Sequence, residues 1–553
     1  MAEQIVAKPW LLVLMAVSLA CLWFGTLDMR HLLRSDEGRY AEIAREMLVS
    51  GDWVTIRYNG LKYFEKPPLH LWMTALAFKA FGVGEWQARC WVALNGAAGL
   101  LMTMLAARRW YGPRVAMLSG LVLLAAPNWN LAAHFNSLDM SVSGALAVVQ
   151  AAVLLAQHPE ADAAARRRWM WLAWGAMAAA VLTKGLIGLV LPGLSLIAYT
   201  LWTRDLQLWR RLHIFSGLLL GLAITAPWFW MVEQRNPGFL RFFFIHEHFE
   251  RYTSAVHQRG APIWYFVPQL AGGFLPWSAL WPRIATLAWR EPRTIGLQVV
   301  PWLASWALTI FVFFSLSGSK LPGYIIPMMP ALAVLGALVL DKLPARAWTR
   351  LLLVALVVGV VLTLASPLVT RMSSGSTPSS PFTAYAPWLG AAALVLVAGT
   401  LAALALQRRG QQTHSIVVYA LAMFCGTTVA LVGHETLGRS ISGVDLVPPM
   451  RAVLTPEMPI YGVKLLDHTL PFYLGRTLVM VAEPDELEYG TQQEPQKWLP
   501  SLAAFRERWL AGPRALAVMS PDTYAELQGQ ALPMSIVAQD ARRVVAANFG
   551  SSP

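Results

Sequence analysis

Two polar stretches lie within one loop of the chain, Ser35-Asp36-Glu37-Gly38-Arg39-Tyr40 and Tyr63-Phe64-Glu65-Lys66-Pro67-Pro68-Leu69. Carboxylates in such settings can move a proton, hold hydroxyl or amino groups, or face a developing positive charge. Lysine and arginine can neutralise phosphate oxygens. The same residue types recur further along. Asp139 follows His134 and Asn136, Lys184 sits in Leu182-Thr183-Lys184-Gly185, and His246-Glu247-His248 precedes Glu250, Arg251 and Tyr252. Lys320 and Tyr324 flank Leu321-Pro322-Gly323. Each has a plain alternative: Asp36 as a first-turn acid that stabilises a helix, Lys66 as a snorkelling lysine beside a solvated acid. A shared location would make them a site.

The elements that would bring them together are apolar. Hydrophobic residues make up 56% of the 553-residue chain and charged residues 14%, against about 25% charged in soluble domains. Such a chain cannot cover a soluble surface and belongs in lipid. The net charge of +13 then fits basic cytoplasmic loops rather than nucleic acid. Cys21, Cys90 and Cys425 all fall in apolar runs, so neither a disulfide framework nor a metal knuckle is expected.

Apolar segments occur at roughly 10–27, 69–83, 88–107, 114–130, 138–156, 169–184, 186–202, 212–232, 264–288, 299–316, 322–341, 349–369, 386–406 and 414–433. Basic clusters such as Arg108/Arg109/Arg114, Arg166 to Arg168 and Arg408/Arg409 share one face only if the 69–83 segment does not cross. That segment is short of the roughly 20 residues needed to span, opens with Pro67-Pro68 and carries Lys79. It reads as an interfacial or re-entrant helix, leaving thirteen spans. The expected fold is a polytopic α-helical membrane protein, residues 1–433, followed by a small α/β domain, residues 434–553. Loop 28–68, loop 233–263 and the C-terminal domain all fall outside the cytoplasm.

Within loop 28–68, Tyr40, Ile43, Ala44, Met47 and Leu48 share one helical face, with Glu42, Arg45 and Glu46 elsewhere. This predicts an amphipathic helix lying flat at the interface, capped by Ser35 and stopped by Gly51. Acid and base pinned beside Pro67-Pro68 at a membrane boundary are expensive and usually functional.

The two loop motifs, together with Gly82 to Arg89 (GVGEWQAR) and Ser319-Lys320-Leu321-Pro322-Gly323-Tyr324, resemble those of the GT-C glycosyltransferases. Within these they are most similar to the bacterial lipid A aminoarabinose transferases, relatives of the protein O-mannosyltransferases. The resemblance covers residues 1 to about 340. It implies an inner-membrane enzyme with a periplasmic site. Such an enzyme takes 4-amino-4-deoxy-L-arabinose from undecaprenyl phosphate to a lipid A phosphate and confers polymyxin resistance. It matches Asp36 to the catalytic acid of the first outer loop. It also implies a divalent cation, zinc by ligand type, with Glu65 and His246, then His248, as candidate ligands. A solvated or lipid-phosphate-binding histidine pair is the alternative, because two ligands fall short of a coordination set.

On this reading Lys66, Arg251 and Arg57 neutralise the departing phosphate. Asp36 and Asp139 act at the sugar or acceptor, and Tyr63, Lys184 and Tyr324 line the sugar pocket. Membrane lipids are the other partners. Transfer of another polyprenyl-linked sugar to protein or glycan, and a lipid flippase or transporter, are the competing functions. Transporters usually carry paired, interrupted halves, and no such duplication is visible in the sequence.

Overall fold

The computed structural model describes residues 9–250, 260–290 and 296–550. The chain is a multi-pass membrane protein, and among the described residues eight helices are long and apolar enough to cross a bilayer. Every segment expected to span has a helical counterpart. The first is Pro9–Gly25, and Leu138–Ala156, Ala163–Lys184, Ile187–Thr203 and Ile214–Arg235 follow in the first half. The segments at 88–107 and 114–130 form one helical run, Glu85–Ala125, kinked where Gly112 takes φ 86° before Pro113. Proline there cannot donate a backbone hydrogen bond, so the axis breaks. Val299–Leu316, Met329–Asp341, Ala345–Ala365, Ser379–Arg408 and Gln412–Gly433 complete the bundle.

The 264–288 segment departs from expectation. Instead of one continuous helix it forms Phe266–Gly273, Trp277–Leu280 and Trp281–Arg290. Gly272-Gly273 and Pro276 account for the break, since neither residue type favours continuing a helix. The 69–83 segment forms Leu69–Phe81, of 13 residues. At 1.5 Å per residue it reaches only about 20 Å, well short of the roughly 30 Å hydrocarbon core.

Beyond the last span, the strands form a five-stranded sheet ordered Val479–Val481, Ile460–Val463, Leu516–Met519, Val544–Ala547, Ser535–Gln539. The first three run parallel and the last two are antiparallel additions. Helices Leu502–Ala511 and Pro521–Gly529 pack on it. One face buries Tyr461, Phe505 and Trp509, and the other buries Ile460, Leu516 and Val545. Arg543 is buried at its rim and grips Asp467 at 2.5 Å, which burial alone would raise but Arg543 and backbone amides hold at about 2.

The helix expected to lie flat at the interface is Asp36–Ser50, and it is enclosed instead. The polar face meets protein: Glu42 takes a two-point bond from Arg45 at 2.6 and 2.7 Å. Glu46 accepts from the backbone amides of Asn59 and Gly60 at 2.5 and 2.8 Å. Burial and Glu42 push Glu46 up to about 8. Ser35 does not cap the helix, whereas Gly51 ends it in the left-handed conformation, φ 69°.

The cover over this helix is a two-stranded hairpin, Arg57–Tyr58 with Leu61–Lys62, docked on the C-terminal domain. Asn59 at its tip, φ 53°, exchanges two 2.7 Å bonds with the backbone of Leu478. Tyr58 Oη lies 2.7 Å from His468 Nδ1. Glycine at position 59 keeps the left-handed turn and removes both side-chain bonds, leaving the Leu478 amide and carbonyl unpaired. Asn59→Gly is expected to cost about 1–3 kcal/mol, read as a lower Tm of the detergent-solubilised protein. An unchanged Tm would show that the tip does not hold the domain.

Candidate functional site

The loop preceding helix Asp36–Ser50 is held by a buried ion pair. Arg89, from helix Glu85–Ala125, donates to Glu37 through Nε at 2.7 Å and Nη2 at 3.1 Å. Its other donors reach the carbonyls of Leu27, Arg30 and His31. Glu37 also accepts from the amides of Asn136, at 3.0 Å, and Leu33, at 3.1 Å. Burial would raise the Glu37 carboxyl, but Arg89 and Arg30 hold it below the usual range. One pair thereby ties together the end of the first span, the first loop and the segment before Asp139.

Asp36, the next residue back, points the other way and its side chain is 42% exposed. Arg39, one turn on, bridges Asp36 and Glu486. Glu486 comes from the C-terminal domain. Burial, with Glu65, Asp485 and Asp36 nearby, pushes it up to about 7 against the pull of Arg39. His468, 3.7 Å from Glu486, is lowered to about 4 by burial and by Arg39 and Arg34, so it is neutral. Glu486 and His468 follow strands Val479–Val481 and Ile460–Val463. The domain therefore faces the site with the carboxyl ends of parallel strands, where open α/β sheets usually present ligand-binding loops.

A second group comes from the spans. Lys184, the last residue of helix Ala163–Lys184, pairs with Asp139 at the start of Leu138–Ala156. Its ammonium lies 4.6 Å from the Tyr324 ring centroid. Gly323 packs closely here: a Cβ at that position would run into the Asp139 carboxylate, which would have to move aside. On the other side of the first loop, Tyr40 packs against His70 at 5.5 Å, and His70 Nδ1 lies 2.8 Å from Ser141 Oγ.

A third group centres on Lys66. Its ammonium is 3.4 Å from Glu65 and 3.5 Å from Glu247, and Tyr63 donates to Glu65 at 3.2 Å. His246 stacks on Phe242 at 5.2 Å. Among the described residues no three His, Cys, Asp or Glu side chains gather around one point, and a lysine stands between Glu65 and Glu247. Of the three candidate zinc ligands, Glu65 and His246 have described side chains, two donors where zinc takes four. Arg251 lies outside the described residues, as does the side chain of His248.

Arg57, expected near the phosphate, is placed elsewhere. It binds Glu494 at 2.8 and 3.0 Å and the Gly60 carbonyl at 3.0 Å, so it clamps the hairpin to the C-terminal domain. Asp36, Asp139, Lys184 and Tyr324 draw together at one face of the bundle, with Tyr63, Glu65 and Lys66 in the same loop. Sequence reasoning does not single out Glu486, His468 or His70, and places Tyr40 only in the first motif and on the apolar face of the helix. The acids Asp485-Glu486 directly after an apolar strand were the available signal.

Residues 8–243 match the dolichyl-phosphate-mannose-protein mannosyltransferase family, and residues 446–548 match the aminoarabinose transferase C-terminal domain. The crystal structure of ArnT from Cupriavidus metallidurans bound to undecaprenyl phosphate superposes with a TM-score of 0.94, at 52% identity over 99% of both chains. The chain belongs to the ArnT family. The apo structure of the same Cupriavidus ArnT gives a TM-score of 0.93 at 51% identity over 98% of both chains. Among curated relatives, the undecaprenyl phosphate-α-4-amino-4-deoxy-L-arabinose arabinosyl transferase of Pseudomonas aeruginosa (strain UCBPP-PA14) is 36% identical over 332 residues, 59% of each chain. Transferase 2 of Pseudomonas fluorescens (strain Pf-5) is 33% identical over 341 residues, 61% of this chain and 58% of the relative. The match thus spans about three fifths of these curated relatives' length. The fold is that of ArnT, a GT-C architecture with a C-terminal α/β domain.

Glu486 holds a proton more readily in the folded chain than in the unfolded one, where a glutamate titrates near 4.5. Between about 4.5 and about 7 the folded state binds more protons, so this residue lowers stability as pH rises through that window. Glu486→Gln is expected to flatten that part of the profile. Thermal unfolding followed across the window checks it, and a slope identical to that of the parent protein refutes it.

Proposed function

We propose that this protein transfers 4-amino-4-deoxy-L-arabinose from undecaprenyl phosphate to a phosphate of lipid A, at the periplasmic face of the bacterial inner membrane. The observation that carries the reading is the whole-chain likeness, at 52% identity, to an ArnT that binds undecaprenyl phosphate. The added aminosugar places a cation on an anionic lipid, which weakens attraction of polymyxin and cationic peptides.

In this reaction an oxygen of the acceptor phosphate attacks the anomeric carbon. The bond from that carbon to the donor phosphate oxygen breaks, and undecaprenyl phosphate leaves with the electron pair. Lys66 neutralises the departing phosphate, because a positioned cation at the oxygen that gains charge lowers the barrier. Its place between Glu65 and Glu247 holds that ammonium in one position. The acceptor is already anionic, so a strong base is unnecessary. Asp36, a partly exposed carboxylate, faces the positive charge that develops on the sugar ring. Arg39 sets its orientation. The Lys184–Asp139 pair and Tyr324 form the sugar-facing wall, with Asp139 available to the sugar amine.

Asp36→Asn and Lys66→Ala are each expected to reduce transfer to lipid A by at least a hundredfold, with membrane insertion unchanged. Mass spectrometry of lipid A from a strain carrying only the variant reads the result. Gly323→Ala should act in the same direction, because the added methyl forces the Asp139 carboxylate aside. Aminoarabinose-bearing lipid A at normal level in the Asp36 or Lys66 variant removes that residue from the mechanism. Lipid A unmodified by the parent protein removes the proposed function.

A further inference from the structure

One buried histidine touches the supports of both site acids. His70 lies in the first turn of helix Leu69–Phe81 and is fully enclosed. Its Nδ1 is 2.8 Å from Ser141 Oγ, and Ser141 is buried too. Ser141 stands two residues after Asp139 at the start of helix Leu138–Ala156. The ring of Tyr40 also meets His70, nearly edge-on, at 5.5 Å and 73°. The Arg39 guanidinium lies 5.1 Å from the centre of that tyrosine ring, and Arg39 holds Asp36. Three elements therefore converge on one imidazole: helix Asp36–Ser50, helix Leu69–Phe81 and helix Leu138–Ala156.

Two features set His70 apart from a packing residue. An imidazole removed from water carries a desolvation cost that an apolar side chain of similar size does not, and a hydrogen-bond partner must offset it. Burial lowers His70 to about 4, so near neutral pH it is uncharged and works through its hydrogen bond rather than through charge. The second feature is where that bond lands. Residues two apart on a helix point about 200° away from each other. Asp139 thus meets Lys184 on one side of its helix, and Ser141 meets His70 on the other. The first turn is gripped from opposite sides, which restrains both rotation and sliding of the helix end. Pro67 and Pro68 join Lys66 to the helix that carries His70, and their fixed φ leaves little play between the two.

We propose that His70 is a positioning residue of the transfer reaction, holding Asp139 through Ser141 at a set distance from Asp36, which it reaches through Tyr40 and Arg39. The inference rests on the reaction proposed above, in which Asp36 faces the sugar ring and Asp139 its amine. Both acids then act on one sugar, and their spacing must match it. The Glu37–Arg89 pair, with the Asn136 amide, fixes where the segment bearing each acid begins. His70 fixes how the two helices are turned toward each other. Being enclosed, it meets no substrate itself, so its effect falls on turnover rather than on affinity for either lipid.

The test uses the full-length protein in nanodiscs, with undecaprenyl phosphate-linked aminoarabinose and lipid A as substrates. His70→Ala is expected to lower kcat about a hundredfold, the order that a misplacement of roughly 1 Å costs, with KM for both lipids within about threefold. Ser141→Ala lowers kcat in the same direction, and the double variant is no slower than the worse single one, because both remove the same bond. His70→Asn, whose amide reaches the place of Nδ1, recovers most of the loss, and His70→Gln, whose amide lies further out, recovers less. Leu352→Ala opens a cavity in helix Ala345–Ala365, which carries none of these residues; it lowers Tm and leaves kcat unchanged. Independently of activity, hydrogen exchange read by mass spectrometry is faster over residues 136–142 in His70→Ala and Ser141→Ala than in the parent protein. If His70→Ala does not insert, Ser141→Ala and His70→Gln carry the same comparison. Parent-like kcat in His70→Ala or in Ser141→Ala overturns the proposal, as does a His70→Asn variant as slow as His70→Ala. A fall in kcat of Leu352→Ala that tracks its loss of Tm also overturns it, since any destabilisation would then suffice. If exchange over 136–142 quickens as expected but the parent protein transfers no aminoarabinose, the tie between the helices stands and the proposed reaction falls.

Discussion

The buried pair between Glu37 and Arg89 is the constraint on which the site depends. Two full charges removed from water are costly, and they persist only where every lone pair and proton is satisfied. Here they are: Glu37 accepts from Arg89 and from two backbone amides, and Arg89 covers three carbonyls besides. Those carbonyls belong to the stretch between the first span and Asp36. Fixing them sets where helix Asp36–Ser50 begins, and with it which way Asp36 and Arg39 point. The Asn136 amide in the same network sets where helix Leu138–Ala156 begins, and so where Asp139 stands. One ion pair therefore registers two acids from distant parts of the chain against each other. Losing either partner would leave the other charge buried alone, a much larger penalty than the pair's net contribution.

The C-terminal domain completes what that pair begins. Its docking uses short polar contacts from the hairpin tip at Asn59, from Tyr58 and from Arg57. Close backbone approach helps too: a Cβ on Gly38 would collide with the His468 carbonyl. With the domain in place, Glu486 reaches Arg39, and the polar face of helix Asp36–Ser50 is sealed from water. This explains why that helix carries acids and bases all round yet is buried almost throughout. It is the floor between a membrane bundle and a soluble-type sheet, and each of its faces has a protein partner.

Much of this was legible in the residues. Low charge and long apolar runs give the bundle, and the short proline-led segment gives Leu69–Phe81, a helix of 13 residues. Strands Val479–Val481 and Leu516–Met519 follow from short β-rich runs. Residue type at a loop boundary also pointed to Asp139 and Lys184, which form a pair. What could not be read locally depends on contacts across long sequence separations. Amphipathic spacing in 36–50 predicts one wet face, and the 57–62 hairpin together with a domain more than 400 residues away covers it. Arg57 looks like a phosphate ligand until Glu494 is seen to occupy it. The continuous apolar pattern at 264–288 hides a break that Gly272-Gly273 and Pro276 impose on the backbone.

The Lys184–Asp139 pair shows how membrane and site chemistry meet. Both residues sit at helix ends, Asp139 in a first turn and Lys184 in a last turn. The helix dipoles favour an acid at the one and a base at the other. Each is therefore stabilised by its own helix before it meets the other, which offsets part of the cost of burying the two charges. The close approach of Gly323 and the ring of Tyr324 then cover the pair on a further side. Both charges come from short helical ends rather than mobile loops, so a ligand arriving at this wall finds its polar groups already in place. That preorganisation lowers the ordering cost of binding.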